Sequence, residues 1–270
     1  MIKIEKQMTY GWEEAIRGMR NPMNSWEKSD SEIYEGGVFE FTVGPNDLNL
    51  MTKLRNAGTD HRKFMRMITV YVDICAPLYW WKEFDTYKVG TVANSCSTMH
   101  KIHAKPIELS DFSFEDFDLE NVGGTQLRVS DLFINIVADC ECLRKMFLET
   151  KDRKYWRALI QLLPESYNQK RTVMLNYEVL ANMYHSRKNH KLDEWRDFCK
   201  WVESLPYSEL ITAPYAEPAP VPKVTHVDWK DISLPSFTQE ELLKIRKALN
   251  DEIIARLYKQ QEKEKENERI

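Results

Sequence analysis

The chain has 270 residues, 43% of them hydrophobic and 30% charged, with a formal charge of −4. That length suffices for one substantial domain with an appendage, and the composition is that of a soluble globular protein. The mildly acidic balance leaves no electrostatic footprint for nucleic acid, and no apolar run approaches the roughly 18 residues of a membrane span.

The opening segment MIKIEKQMTYGWEEAIRGMR has no apolar signal-type stretch, which predicts a cytoplasmic protein. Cys75, Cys96, Cys140, Cys142 and Cys199 are odd in number and scattered, and are expected as free thiols. Cys140 and Cys142 lack the second ligand pair of a zinc site, so no metal is expected.

Along the chain, GGVFEFTVG at 36–44 alternates apolar and polar residues between glycines and predicts a short strand. GPNDLNLMTKLRNAG places Leu48, Met51 and Leu54 at helical spacing and predicts a short helix. FMRMITVYVDICAPLYWW, rich in β-branched and aromatic residues, predicts a strand running toward Pro77. Trp80 and Trp81 should anchor its end, so that residues 86–91 form a rigid turn. From about 130 to 163 the pattern is helical, and Pro164 should break that helix or start the next.

The stretch ESYNQKRTVMLNYEVLANMYHSRKNHKLDEWRDFCKWVESL has neither glycine nor proline and predicts helix over most of its length. The fold expected over residues 1–210 is α+β, a small antiparallel sheet with long helices, as the family resemblance given below implies. Pro214, Pro218, Pro220 and Pro222 favour an extended linker over 211–235. Residues 236–270 read as an amphipathic helix with a charged tail. Thr238 and Glu241 make a capping box there, and Leu242, Ile245, Leu249, Ile253 and Leu257 form one apolar stripe.

On the helix expected around 173–195, Asn176, Leu180, Met183 and Arg187 share one face, and Asn182 and His190 lie on neighbouring faces. An asparagine and an arginine on one stripe suit a satisfied core amide with a surface charge. They also suit a phosphate, which arginine grips with two parallel bonds.

LLPESYNQKRTVMLNYEVLANMYHSRKNHKLDEW resembles the C-terminal helical region of flavin-dependent thymidylate synthases. In that family a Leu-Pro precedes an Asn, a Leu, a second Asn and an Arg of the active site. Leu163-Pro164, Asn176, Leu180, Asn182 and Arg187 match them without a gap. His190 and Glu194 match the following His and Glu if one residue is deleted.

The family signature, an apolar-Pro-apolar-aromatic run, R-H-R-x-x-S, an Asn and S-x-R, is laid out in APLYWW, TYKVGT and NSCSTM, with one residue inserted near Ala93. Thr86, Tyr87 and Lys88 stand at Arg, His and Arg. Thr91, Asn94 and Ser97 match Ser, Asn and Ser, while Met99 replaces the last Arg and Ile160 a further one. His61 in NAGTDHRKFMR matches the family's Gly-His-rich turn. The resemblance spans about residues 45 to 205.

The resemblance implies FAD as cofactor, NADPH and methylenetetrahydrofolate as co-substrates, and methylation of dUMP to dTMP. It implies cofactor contacts from His61, Lys88, Thr91, Asn176, Asn182 and His190, and contacts from Asn94, Ser97 and Arg187 to a pyrimidine deoxynucleotide. It assigns no catalytic side chain, because the flavin carries the chemistry. It also implies a homotetramer with sites at subunit interfaces. The lost arginines keep open an alternative: a nucleotide-binding or interaction protein with lost or altered chemistry, whose C-terminal helix recruits a partner. Arg157, His100, Lys101 and Lys105 are the nearby cations that compensation would draw on.

Overall fold

The computed structural model describes residues 2–35, 39–117, 128–215 and, beyond these, 238–240, 243–244 and 246–247. Strand β1 (Lys3–Tyr10) and helix α1 (Trp12–Arg20) are followed by the hairpin β2 (Glu32–Glu35) and β3 (Phe39–Thr42). Helix α2 (Pro45–Asn56), strand β4 (Thr69–Pro77), helix α3 (Leu78–Phe84) and strand β5 (Thr91–Ser95) come next. Helices α4 (Val129–Thr150) and α5 (Arg153–Leu162) precede strand β6 (Asn168–Asn176). Helices α6 (Tyr177–Arg187), α7 (Asp193–Glu203) and α8 (Glu209–Thr212) close the unit Met1–Ala216.

The architecture is mixed helix and sheet, with long helices around a small antiparallel sheet of order β1-β4-β6-β5. Strands β4 and β6 pair without interruption from Thr69↔Asn176 to Pro77↔Asn168. Alternation makes the sheet one-sided. Val70, Val72, Ile74 and Ala76 of β4 join Val173 and Leu175 of β6 in the core, against Trp80, Leu180, Met183, Trp195 and Phe198. A second core gathers Ile107, Phe112, Phe133, Val137, Cys140 and Leu159.

Three expectations need correction. Asn168–Asn176 is a strand, not the first turns of a long helix, so Asn176 stands at a strand-to-helix junction and the expected helix 173–195 reduces to α6 and α7. Here QKRTV pairs throughout with β4, and from Arg171 onward with β5 as well. Trp80 and Trp81 lie on α3 rather than at a strand end, at 0% and 1% exposure. Trp80 packs 4.8 Å from the Trp195 ring, and Trp81 Nε1 donates to the Gln169 carbonyl at 2.9 Å. The helix expected over 130–163 breaks at Lys151, whose φ of 57° is left-handed, with Asp152 capping α5 by accepting from Lys154 N.

Pro218, Pro220, Pro222, Glu241 and the stripe Leu242, Ile245, Leu249, Ile253 and Leu257 lie outside the described residues. Gln239, Glu240, Leu243, Lys244, Arg246 and Lys247 are helical.

Helix α2 is pinned at its start by a buried ion pair. Asp47, fully buried, accepts from Arg20 Nε at 2.6 Å, from the Ser29 and Ser31 hydroxyls at 2.8 and 2.6 Å, and from the Asp30 and Ser31 backbone N–H groups. Burial alone would raise the Asp47 pKa, but the Ser31, Ser29 and Arg20 bonds outweigh it and hold the carboxyl below its ordinary range. A depressed folded pKa stabilises above the unfolded value and is lost as pH falls through the folded one. Asp47→Ala should therefore cost about 3–5 kcal/mol in denaturant titration at neutral pH. Its stability should also fall less steeply below about pH 4 than that of the parent.

Candidate functional site

The β6–α6 junction is the anchor of the site. Asn176 ends the strand and caps the helix, its Oδ1 accepting from Val179 N at 2.9 Å. Its amide Nδ2 faces Gly90, where a Cβ would come within 2.5 Å of it. Gly90 has φ +82°, which closes the turn between α3 and β5. Thr91 Oγ1 donates to the Tyr87 carbonyl at 2.6 Å across the same turn.

This turn and the first half of α6 wall a pocket of about 520 Å³, together with Arg62, Arg66 and Tyr215. Glu178, Asn182 and His185 follow one another at spacings of four and three, which puts them on one face of α6, and all three line the pocket. Glu178 accepts from Arg62 Nε at 3.2 Å and from both Nε and Nη2 of Arg66. Burial raises the Glu178 pKa, but Arg66 and Arg62 override it and hold the carboxyl below its usual range. Two guanidinium groups against one carboxylate leave the lining with excess positive charge, suited to an anion. Burial, with the nearby Lys188 and Arg55 charges, lowers the His185 pKa. Its Nε2 is buried without a hydrogen-bond partner among the described residues.

A second polar cluster lies at the C-terminal end of α6. Arg187 Nε donates to the Tyr87 hydroxyl at 2.8 Å and Nη1 to Glu83 Oε2 at 3.1 Å. Its guanidinium lies 4.9 Å from the Trp195 ring. The same Glu83 oxygen accepts from Trp195 Nε1 at 2.6 Å, with His190 Nε2 3.5 Å away. His190 Nδ1 accepts from Leu192 N, so the imidazole also closes the α6–α7 connection.

The sequence-predicted residues thus divide. Asn176 and Asn182 meet in the pocket, with Thr91 next to its Gly90 wall. Arg187 and His190 form the Glu83 cluster. Lys88 is exposed and makes no ion pair among the described residues, and His61 is exposed beside Arg62. Asn94 stands on β5, opposite Thr172, while Ser97 Oγ accepts from His100 N at 2.9 Å.

Sequence reasoning missed Arg62, Arg66, Glu178, His185 and Tyr215. The available signal was DHRKFMR, two arginines four apart beside His61. None of Arg157, His100, Lys101 or Lys105 lines the pocket. A larger cavity of about 620 Å³ carries Glu115, Asp116, Glu165, Asp193, Glu194 and Asp197 against Lys191, a charge balance that repels phosphate.

No family model and no curated protein matches the chain by sequence. Its fold is similar to that of solved structures. A thymidylate synthase X from Helicobacter pylori with FAD and dUMP has a TM-score of 0.57 and 16% identity, covering 78% of this chain and 97% of that one. A second structure of the flavin-dependent enzyme from that organism, complexed with FAD and dUMP, gives 0.55 and 17% with the same coverage. A UMP/dUMP methylase from Streptomyces cacaoi bound with 5-Br dUMP gives 0.50 and 13%, covering 76% and 89%. At these identities the likeness is one of fold.

Replacing Gly90 by alanine strains a left-handed residue and drives its Cβ into the Asn176 amide. Gly90→Ala should lower stability by about 1–3 kcal/mol in denaturant titration. Gly90→Ala combined with Asn176→Ser, which removes the clash and keeps a capping hydroxyl, should recover part of that loss.

Proposed function

We propose that this chain is a flavin-dependent enzyme that modifies a pyrimidine nucleotide. The observation that carries the reading is the pocket at the β6–α6 junction. There two asparagines, the Gly90 turn and two arginines come together, in a fold shared with proteins solved with FAD and dUMP. The residues fit a flavin: excess positive charge suits its diphosphate, and the Asn176 amide nitrogen has no acceptor among the described residues. Asn182 is exposed on the pocket face of α6. Lys88, Thr91, His61 and His190 are proposed as further cofactor contacts around it.

When bound, the flavin supplies hydride chemistry that no side chain provides. The residues of this chain bind and orient. Arg62 and Arg66 offset anionic charge, and the turn at 86–91 presents backbone to a planar ring. Arg187 is proposed to contact the nucleotide from the Glu83 cluster, with Asn94 and Ser97 approaching from β5 and the turn after it. The finer reading is methylation of dUMP to dTMP with methylenetetrahydrofolate and NADPH as co-substrates. One observation favours the alternative of a binding protein with lost or altered chemistry: Glu83 and Tyr87 already engage Arg187.

Purified protein should take up FAD and show flavin absorbance. Arg66→Met, which leaves Arg62 paired with Glu178, should weaken FAD binding about tenfold, equivalent to about 1.4 kcal/mol. A colourless protein that binds no added flavin would overturn the enzyme reading. Growth of a thymidine-requiring bacterium on this gene would establish the methylation.

A homotetramer is proposed on the outer face of the sheet. Met8, Tyr71, Met174 and Val92 align in one cross-strand row over β1, β4, β6 and β5. Met8, Tyr71 and Val92 are 55%, 46% and 58% exposed, an apolar row suited to burial against a second copy. Light scattering should report an assembly that Tyr71→Lys dissociates. A monomeric parent at micromolar concentration would refute it.

A further inference from the structure

The cavity of about 620 Å³ shares no lining residue with the pocket at the β6–α6 junction. Its walls come from the start of α3, the segment 113–117, the first half of α4, the turn 164–166 and the start of α7. Backbone bonds tie two of these walls to the turn: Tyr79 N donates to the Glu165 carbonyl at 3.1 Å, and Ser113 N to that of Ser166 at 2.9 Å. An aromatic wall stands beside them, with the Phe133 ring 5.9 Å from Phe114 and 4.8 Å from Phe117.

Two buried polar groups of this lining are short of partners. Glu194, 8% exposed in the first turn of α7, accepts a side-chain bond from the Tyr79 hydroxyl and pairs with no cation among the described residues. Burial, with that bond, pushes the Tyr79 pKa up, so the phenol remains the donor. A carboxylate has room for further donors, and burying one without a counter-charge is costly. Ser166 is also 8% exposed, and its buried hydroxyl has no hydrogen-bond partner among the described residues. Of the other carboxylates, Glu165, Asp193 and Asp197 are answered by Lys82, Arg196 and Lys200, whereas Asp116 forms no ion pair among the described residues.

Both buried groups lack a donor, and Glu194 lacks one that carries positive charge. An ammonium is all donor with no acceptor, and aromatic faces attract a cation. We propose that this cavity binds a protonated aliphatic polyamine. One ammonium donates to Glu194 and to the Ser166 hydroxyl, the stem packs along Phe114 and Ile136, and a second ammonium answers Asp116. The volume is that of a small-molecule site. The assignment does not rest on the flavin reading.

The test is a calorimetric titration of the full chain with spermidine at low salt, using the parent, Ser166→Ala, Glu194→Gln and, as a control for overall charge, Glu149→Gln on α4 outside the cavity. The parent should bind one molecule per chain. Ser166→Ala should bind about fivefold more weakly and Glu194→Gln about tenfold. Glu149→Gln should bind as the parent does. Thermal melting without ligand checks folding, and Ser166→Ala should melt at or above the parent, because it removes an unpaired buried hydroxyl. A parent that binds no spermidine would overturn the proposal. So would binding that Ser166→Ala and Glu194→Gln leave unchanged, or that all three variants weaken alike, since the amine would then answer surface charge only.

Discussion

The site depends on one change of backbone state at Asn176. Up to that residue the chain is a strand, paired to Thr69; from Tyr177 it is a helix. The asparagine is extended at φ −113° and ψ 164°, and its side chain satisfies a donor that the first turn of α6 leaves free. Because β6 is central, the start of α6 inherits the rigidity of the sheet. The face of α6 that carries Glu178, Asn182 and His185 is therefore aimed by strand pairing rather than by a loop.

Charge at the pocket comes from positions outside the signature layout that the sequence resembles. Signature positions that would carry arginine hold Thr86 and Met99, and Met99 is an exposed residue whose carbonyl merely accepts from Trp156 Nε1. The cations that face the pocket come from the turn after α2, as Arg62 and Arg66. Glu178 organises them by accepting from both, and sits in the first turn of α6, where the helix dipole favours a carboxylate. The positive charge at this pocket thus comes from a segment other than the one that carries the signature layout.

How far the sequence carries the reader follows from where the physics is local. Strand β4 was legible because TVYV alternates β-branched with exposed residues, and α2 because glycines and Pro45 punctuate it. Strand β6 was not, because Lys170, Arg171 and Thr172 are long or polar on both faces and no glycine or proline marks its start or end. Its strand character comes from pairing with β4 and β5, a tertiary effect that overrides local preference. The capping role of Asn176 was visible in principle, since asparagine favours that position, but only once a helix start is placed there. Asn176 and Asn182 were singled out from their helical spacing and then from the resemblance, and both line the pocket. Arg62 was not, because its partner Glu178 lies 116 residues away in sequence.

The two polar clusters are not independent, because one turn serves both. Tyr87 accepts from Arg187 through its hydroxyl and from Thr91 through its carbonyl, while Gly90, three residues later, rests on Asn176. Glu83, one turn earlier on α3, holds Arg187, Trp195 and His190 at one carboxylate. A ligand phosphate that engages Arg187 must compete with that carboxylate or use the guanidinium's remaining Nη2, which forms no bond among the described residues. Competition would oppose a preformed charge-assisted bond, which contributes more than a neutral one. The turn at 86–91 is therefore tied to the C-terminal end of α6 through Tyr87 and Arg187 and to its start through Gly90 and Asn176.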